Sequence, residues 1–145
     1  MVSLRYLLDT NVISEGTKPA PNQAVVQKLI QHQEEVATAS VVLHELLYGC
    51  LRLPESKRRR SLLDYVNQVP LTMPVLDYDL QAAQWHATER ARLVKIGRTP
   101  AFFDGQIASI AHCHRLTLVT NNVADFQDFE YLTLENWFLL EEQTT

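Results

Sequence analysis

Short apolar runs that end in polar turns alternate along this chain with longer segments of helical period, and that alternation most narrows the folds open to it. Leu4 to Leu8 is the first such run. It is closed by Asp9-Thr10-Asn11 and reads as a buried strand feeding a turn. Pro19, Pro21 and Asn22 punctuate the next stretch, and Ala24 to Gln33 then reads as an amphipathic helix. Val36 to Thr38 is a short strand. Ser40 suits an N-cap, and Val41 to Leu53 a mainly apolar helix stopped by Pro54. A further helix is expected from about Glu55 to Asn67, and a strand over Met73 to Leu76. Asp79 can cap a long helix from Leu80 to about Ile96, ended by Gly97. Thr99-Pro100 reads as an N-cap with Pro at the first position of a helix reaching about His114. Leu116 to Thr120 is a strand, Asn121-Asn122 lead into a short helical turn, and a last strand is expected near Tyr131 to Leu134. Strands alternating with helices in this way imply a parallel sheet covered on both faces.

A chain of 145 residues suits one domain, expected over 1–140, with 141–145 a polar, frayed tail. The net charge of -4 argues against a protein that holds nucleic acid by bulk electrostatics. That objection weakens if several acids gather to bind divalent cations, because the ions reverse the local field. Cys50 and Cys113 are far apart, lack zinc-ligand spacing and read as reduced thiols. Met1 to Leu8 is no signal peptide, and no apolar run approaches the ~20 residues that span a bilayer. A soluble, cytoplasmic protein is therefore expected. With only four glycines, neither a P-loop nor a dinucleotide fingerprint is present.

Burying a carboxylate costs several kcal/mol unless a partner or metal compensates it, so acids in apolar surroundings are informative. Asp9 follows the first strand and is placed to face the crevice beyond the carboxyl ends of a parallel sheet; it is equally suited to cap the next helix. Glu45 is flanked on its helical face by Val41, Val42, Leu46 and Gly49, unless it and His44 form a thin polar stripe. Asp104 opens a helix after Phe102-Phe103, where a favourable helix dipole would also explain an acid. The strand ending at Thr120 delivers Asn121, Asn122 and Asp125 to the same sheet edge, with Asn122 and Asp125 on one face if that turn is helical. Clustered carboxylates repel unless cations sit between them, and an oxygen-only ligand set suits Mg²⁺ or Mn²⁺. Such ions polarise a phosphoryl oxygen, activate a water and steady a leaving oxygen, as phosphodiester hydrolysis requires.

Four segments carry a resemblance. They are Leu7-Leu8-Asp9-Thr10-Asn11-Val12-Ile13-Ser14-Glu15, Leu43-His44-Glu45-Leu46-Leu47-Tyr48-Gly49, Asp104-Gly105-Gln106-Ile107-Ala108, and Leu118-Val119-Thr120-Asn121-Asn122-Val123-Ala124-Asp125-Phe126. With the ending Leu134-Glu135-Asn136-Trp137, they make the chain similar to the PIN-domain superfamily, and within it to VapC-type toxins and FitB-type proteins. The resemblance implies a three-layer α/β/α domain with a central, mostly parallel sheet of about four or five short strands. It also implies a Mg²⁺- or Mn²⁺-dependent endoribonuclease that cuts RNA, often a structured RNA such as a tRNA. Further implications are a homodimer and a cognate antitoxin that blocks the acidic site. Asp9, Glu45 and Asp104 fall on the family's three main acids and are the expected metal ligands. Asn122 stands where members with four acids carry Asp, and Asp125 can supply that charge one turn later. Thr10, Asn11 and Thr120 are expected to support the site.

Lys57 to Arg60 can contact phosphates or form a solvated helix face. Arg92, Lys95 and Arg98 lie near the Asp104 helix and suit RNA-backbone contact. His112 and His114, two apart on a helix, read as surface residues, and His44 is given no catalytic role. Trp85, Trp137 and the other aromatics read as core or dimer interface rather than base-stacking platforms. The alternative to an enzyme is a non-catalytic binding module that sequesters an antitoxin-like partner or binds DNA as a complex. A phosphate-accepting role for Asp9 would need a second acid beside it, where Thr10 and Asn11 stand instead.

Overall fold

The strands form where the apolar runs lie, and each is short. In the computed structural model, which describes residues 3–139, they are β1 (Tyr6–Leu8), β2 (Val36–Ala39), β3 (Val75–Leu76), β4 (Thr117–Val119) and β5 (Leu134–Glu135). All are parallel and pair in the order β3-β2-β1-β4-β5. Every side chain of β1 and β2 is buried, so both faces of the sheet are covered. The residues of the edge strands β3 and β5 are only half-buried. The expected α/β architecture is present, with five strands.

The helices are α1 (Thr10–Ser14), α2 (Gln23–Gln31), α3 (Ser40–Leu51), α4 (Lys57–Thr72), α5 (Leu80–Lys95), α6 (Phe102–Cys113) and α7 (Val123–Phe126). Asn22 and Asp79 cap α2 and α5 by accepting from the backbone N–H of Val25 and Ala82. Gly97 ends α5 at φ 79, a conformation that glycine adopts without steric cost. The core gathers Leu7, Leu8, Val12, Val42, Ile107, Ile110, Leu118 and Val119 between sheet and helices. Trp137 closes it from the far end of the chain, packed edge-on against Tyr6 at 5.0 Å.

Several boundaries differ from the sequence reading. β2 runs straight into α3, so the cap position falls on Ala39 and Ser40 is already helical. Helix α4 continues past Asn67 and through Pro70, because burial of Val66 and Val69 holds its last turn despite the missing proline N–H. Helix α6 starts at Phe102, not beside Thr99-Pro100; Ala101 takes the extended cap conformation and supplies no side-chain bond. Tyr131 has φ 61, which a strand cannot include, so β5 begins later than expected. His112 is half-buried and stacks on Trp85 at 4.4 Å, whereas His114 is exposed as expected. The tail call over 141–145 lies outside the described residues. Among the described residues no helix is long and apolar enough to cross a membrane.

Strand order locates the functional region. From β1 the chain builds outward through β2 and β3, then returns to place β4 and β5 on the other side of β1. A parallel sheet that reverses its winding leaves a crevice beyond the carboxyl ends of the strands at the reversal. Here that point is the β1/β4 pair, in register at Leu8 and Val119.

Candidate active site

Asp9 is the first residue past β1, and its backbone N–H bonds to the Val119 carbonyl at 3.0 Å. The carboxylate is buried and serves two ends. Its Oδ1 accepts from the Thr10 N–H at 2.8 Å and caps α1, so the capping reading of this residue holds. Its Oδ2 accepts from the Thr120 hydroxyl at 2.9 Å and from the Asn11 amide at 3.4 Å. The Thr120 oxygen in turn accepts from the Asn122 N–H at 3.0 Å, and Asn11 Oδ1 accepts from the Asn121 N–H at 3.0 Å. Asn136, just past β5, donates to Asn121 Oδ1 at 3.3 Å and extends the network to the sheet edge. The sequence reading named Asn136 within the ending Leu134 to Trp137 but gave it no part in the site, because the pairing of β4 with β5 is what brings it here. The Thr10 hydroxyl is buried and makes no directed hydrogen bond among the described residues.

Glu45 lies in the second turn of α3, which springs directly from β2 beside β1. Asp104 lies in the first turn of α6, which packs against both α3 and α5. Gly105 makes the latter approach possible, since a side chain there would collide with the His86 ring, itself held by the Tyr78 hydroxyl at 2.9 Å. Both acids are half-buried. Burial holds the Asp9 carboxyl above its ordinary range even against its hydrogen bonds. Burial, then the charges of Asp9 and Asp104, raise Glu45. Burial, then the charges of Asp9 and Asp125, push Asp104 up to about 6. Asp9, Glu45 and Asp104, from three separate elements, thus act on one another's ionisation, and Asp125 on α7 acts on Asp104.

Beside Asp104 and Asp125 opens a groove of about 470 Å³, lined also by Arg98, Thr99, Pro100 and Asp128. Arg98 is exposed and pairs with Asp128 at 3.0 Å. Lys95 is exposed in the last turn of α5. Arg92 does not reach solvent in the same way. Its guanidinium grips both oxygens of buried Glu89 at 2.9 and 2.8 Å and the Asp128 carbonyl at 2.8 Å. That commitment removes it from the expected RNA-contacting set and makes it a strut for the loop after α7.

The donor chemistry fits a hard divalent cation: every side-chain donor is oxygen, and the acids oppose each other's ionisation. Among the described residues, no three His, Cys, Asp or Glu side chains are drawn close enough to enclose an ion by themselves. Mg²⁺ takes one or two carboxylates and keeps several waters, so an open arrangement of this kind suits it.

A family model described as PIN domain matches residues 6–130. Over 135 residues the chain is 33% identical to the tRNA(fMet)-specific endonuclease VapC of Shigella flexneri, covering 92% of this chain and 98% of that protein. It is 32% identical to the toxin FitB of Neisseria gonorrhoeae, covering 90% of this chain and 97% of that one. The solved structure of FitAB bound to the IR36 DNA fragment superposes with a TM-score of 0.84 at 31% identity, covering 95% of this chain and 99% of that one.

Proposed function

This chain belongs to the PIN domain family, and on that premise we propose that it is a Mg²⁺- or Mn²⁺-dependent endoribonuclease, the toxin of a toxin–antitoxin pair. The observation that carries this reading is that Asp9 just past β1, Glu45 in the second turn of α3 and Asp104 in the first turn of α6 lie close enough for the charge of Asp9 to act on both of the others. Those three carboxylates are the residues that would hold the cation, with waters completing its shell. When bound, it polarises a phosphoryl oxygen and makes an attacking water more acidic.

The protein's own residues set the geometry. Thr120 and the Thr10 N–H fix both oxygens of Asp9, so the carboxylate does not reorganise when substrate arrives. Asn122 and Asp125 flank the Asp104 side at the mouth of α7, and Asp125 supplies the charge that Asn122 lacks. Arg98, which lines the groove, and Lys95, exposed in the last turn of α5, are the residues proposed to meet substrate phosphates, which position RNA without reading its bases. A tRNA-like structured RNA is the proposed substrate, supported by the naming of the Shigella relative. A homodimer and a cognate antitoxin covering the acidic mouth complete the proposal, the latter supported by the FitAB complex.

The test is incubation of purified protein with total RNA and Mg²⁺ or Mn²⁺, followed by sequencing of the RNA ends. Wild type cuts at defined sites, and Asp9→Asn and Asp104→Asn do not. Equal cleavage by all three defeats the proposal. A DNA-bound relative also favours a second reading, in which the chain acts only within a DNA-binding complex. That reading predicts growth arrest on expression to be absent, and an arrest abolished by Asp9→Asn removes it.

A further inference from the structure

We infer that Asp128 is a positioning residue: it holds the Arg98 guanidinium, in the groove that both share with Asp104 and Asp125, as the seat for a phosphate of the RNA chain. This rests on the ribonuclease reading and adds to it a residue that acts on substrate only through Arg98.

Arg98 is tethered at its base and at its tip. Its backbone closes the end of α5, where the Arg98 N–H donates to the Leu93 carbonyl at 2.8 Å and the Gly97 N–H to the Val94 carbonyl at 3.0 Å. Its Nη1 lies 3.1 Å from Asp128 Oδ1 and 3.0 Å from Oδ2. Asp128 in turn stands on a fixed segment. Phe129 beside it is buried against Trp85 and Phe126, and the Glu130 N–H donates to buried Glu89 at 3.0 Å.

The guanidinium is held by one nitrogen only. Its Nε and Nη2 form a fork that matches two oxygens of one carboxylate or phosphate. Arg92 commits that fork to Glu89, with Nε at 2.9 Å and Nη2 at 2.8 Å. In Arg98 the bonds to Asp128 go through Nη1, and among the described residues Nε and Nη2 have no hydrogen-bond partner. The pairing thus fixes the group and leaves its fork open.

Charge and place agree with this role. Arg98 and Asp128 line the same groove of about 470 Å³ as Asp104 and Asp125, so the open fork stands at the acids. Among the described residues that line the groove, Arg98 is the only cation. An RNA phosphate entering beside those carboxylates meets like charge, which a guanidinium at the same place offsets. Stability gives the pair little reason to exist, because its side chains are 55% and 33% exposed and water screens them.

The test is the kinetics of the full chain with Mg²⁺ on an RNA fragment that spans a site found by end sequencing, repeated over a range of KCl. Asp128→Ala should raise KM about ten-fold with a much smaller change in kcat, and Arg98→Ala should do the same. The double variant should be no weaker than the weaker single one, since each change removes the same contact. In each single variant the slope of log KM against log salt should fall by about 1, the mark of one lost phosphate contact. Asp128→Asn keeps an acceptor oxygen and should recover part of the loss. If Asp128→Ala lowers KM, Asp128 competes with phosphate for Arg98 and the inference is overturned. If Asp128→Ala lowers the melting temperature but leaves KM and the salt slope as in wild type, the pair is a structural contact and the inference is again overturned, with the ribonuclease reading intact. If wild type cuts no RNA, the ribonuclease reading fails and takes this inference with it.

Discussion

Asp104 sits in the first turn of α6, where the helix dipole favours a negative charge, yet burial and the charges of Asp9 and Asp125 push its carboxyl up to about 6. Local helix electrostatics lose to burial and, after it, to the neighbouring charges. The consequence for stability has a definite sign. Between the ordinary 3.8 and about 6 the folded chain holds this proton and the unfolded chain does not. Stability of the metal-free protein therefore falls as pH rises through that window and stays lowered above it. Adding Mg²⁺ or Mn²⁺ should raise the melting temperature at pH 7.5 and do little at pH 5. Asp104→Asn should melt a few degrees higher than wild type in EDTA at pH 7.5 and lose most of the response to metal. Scanning calorimetry at the two pH values checks this, and a metal response unchanged in Asp104→Asn refutes it.

Among the elements, α5 and the loop after α7 hold the groove beside Asp104 in place. Gly105 lets α6 lie against His86 on α5, and no side chain fits between them. Gly105→Ala should force the helices apart, cost about 1–3 kcal/mol of stability and shift Asp104 away from Asp9. Urea denaturation beside the RNA-cleavage assay reads both effects; unchanged stability would mean the helices relax freely. The Arg92–Glu89 pair ties α5 to Asp128 and Glu130, with Glu89 Oε2 also accepting from the Glu130 N–H at 3.0 Å. Glu89 is buried, so Arg92→Ala leaves a buried charge without its partner and should cost about 3 kcal/mol. RNA affinity should stay near wild type. A variant that is stable but binds RNA weakly would return Arg92 to the substrate-contacting set.

At the scale of the whole molecule, β1 and the segment after β5 meet in one seam. Trp137 is 2% exposed, meets Tyr6 edge-on and stacks on His32 at 5.7 Å. It anchors the segment after β5, from which Asn136 reaches Asn121 and so the Asp9 network. Trp137→Ala should cost about 3–5 kcal/mol through the cavity it leaves. Because among the described residues β5 pairs only with β4, the loss should also loosen the Asn121–Asn122 turn. Hydrogen exchange of amides 118–122 should accelerate more than that of β2, and uniform acceleration would count against this path.

Much of this was legible in the residue order. Apolar runs broken by polar turns mark the strands, helical period marks the segments between them, and three acids in apolar surroundings mark the proposed site, because burial energy and hydrogen bonding act on neighbours in the chain. What the order could not contain is which segments lie side by side. The cap at Ala39, the persistence of α4 through Pro70, the commitment of Arg92 to Glu89, the arrival of Asn136 and the pairing of Arg98 with Asp128 all arise from contacts between distant segments. Local propensities there differ by about a kcal/mol, and packing that forms only in the folded state outweighs them.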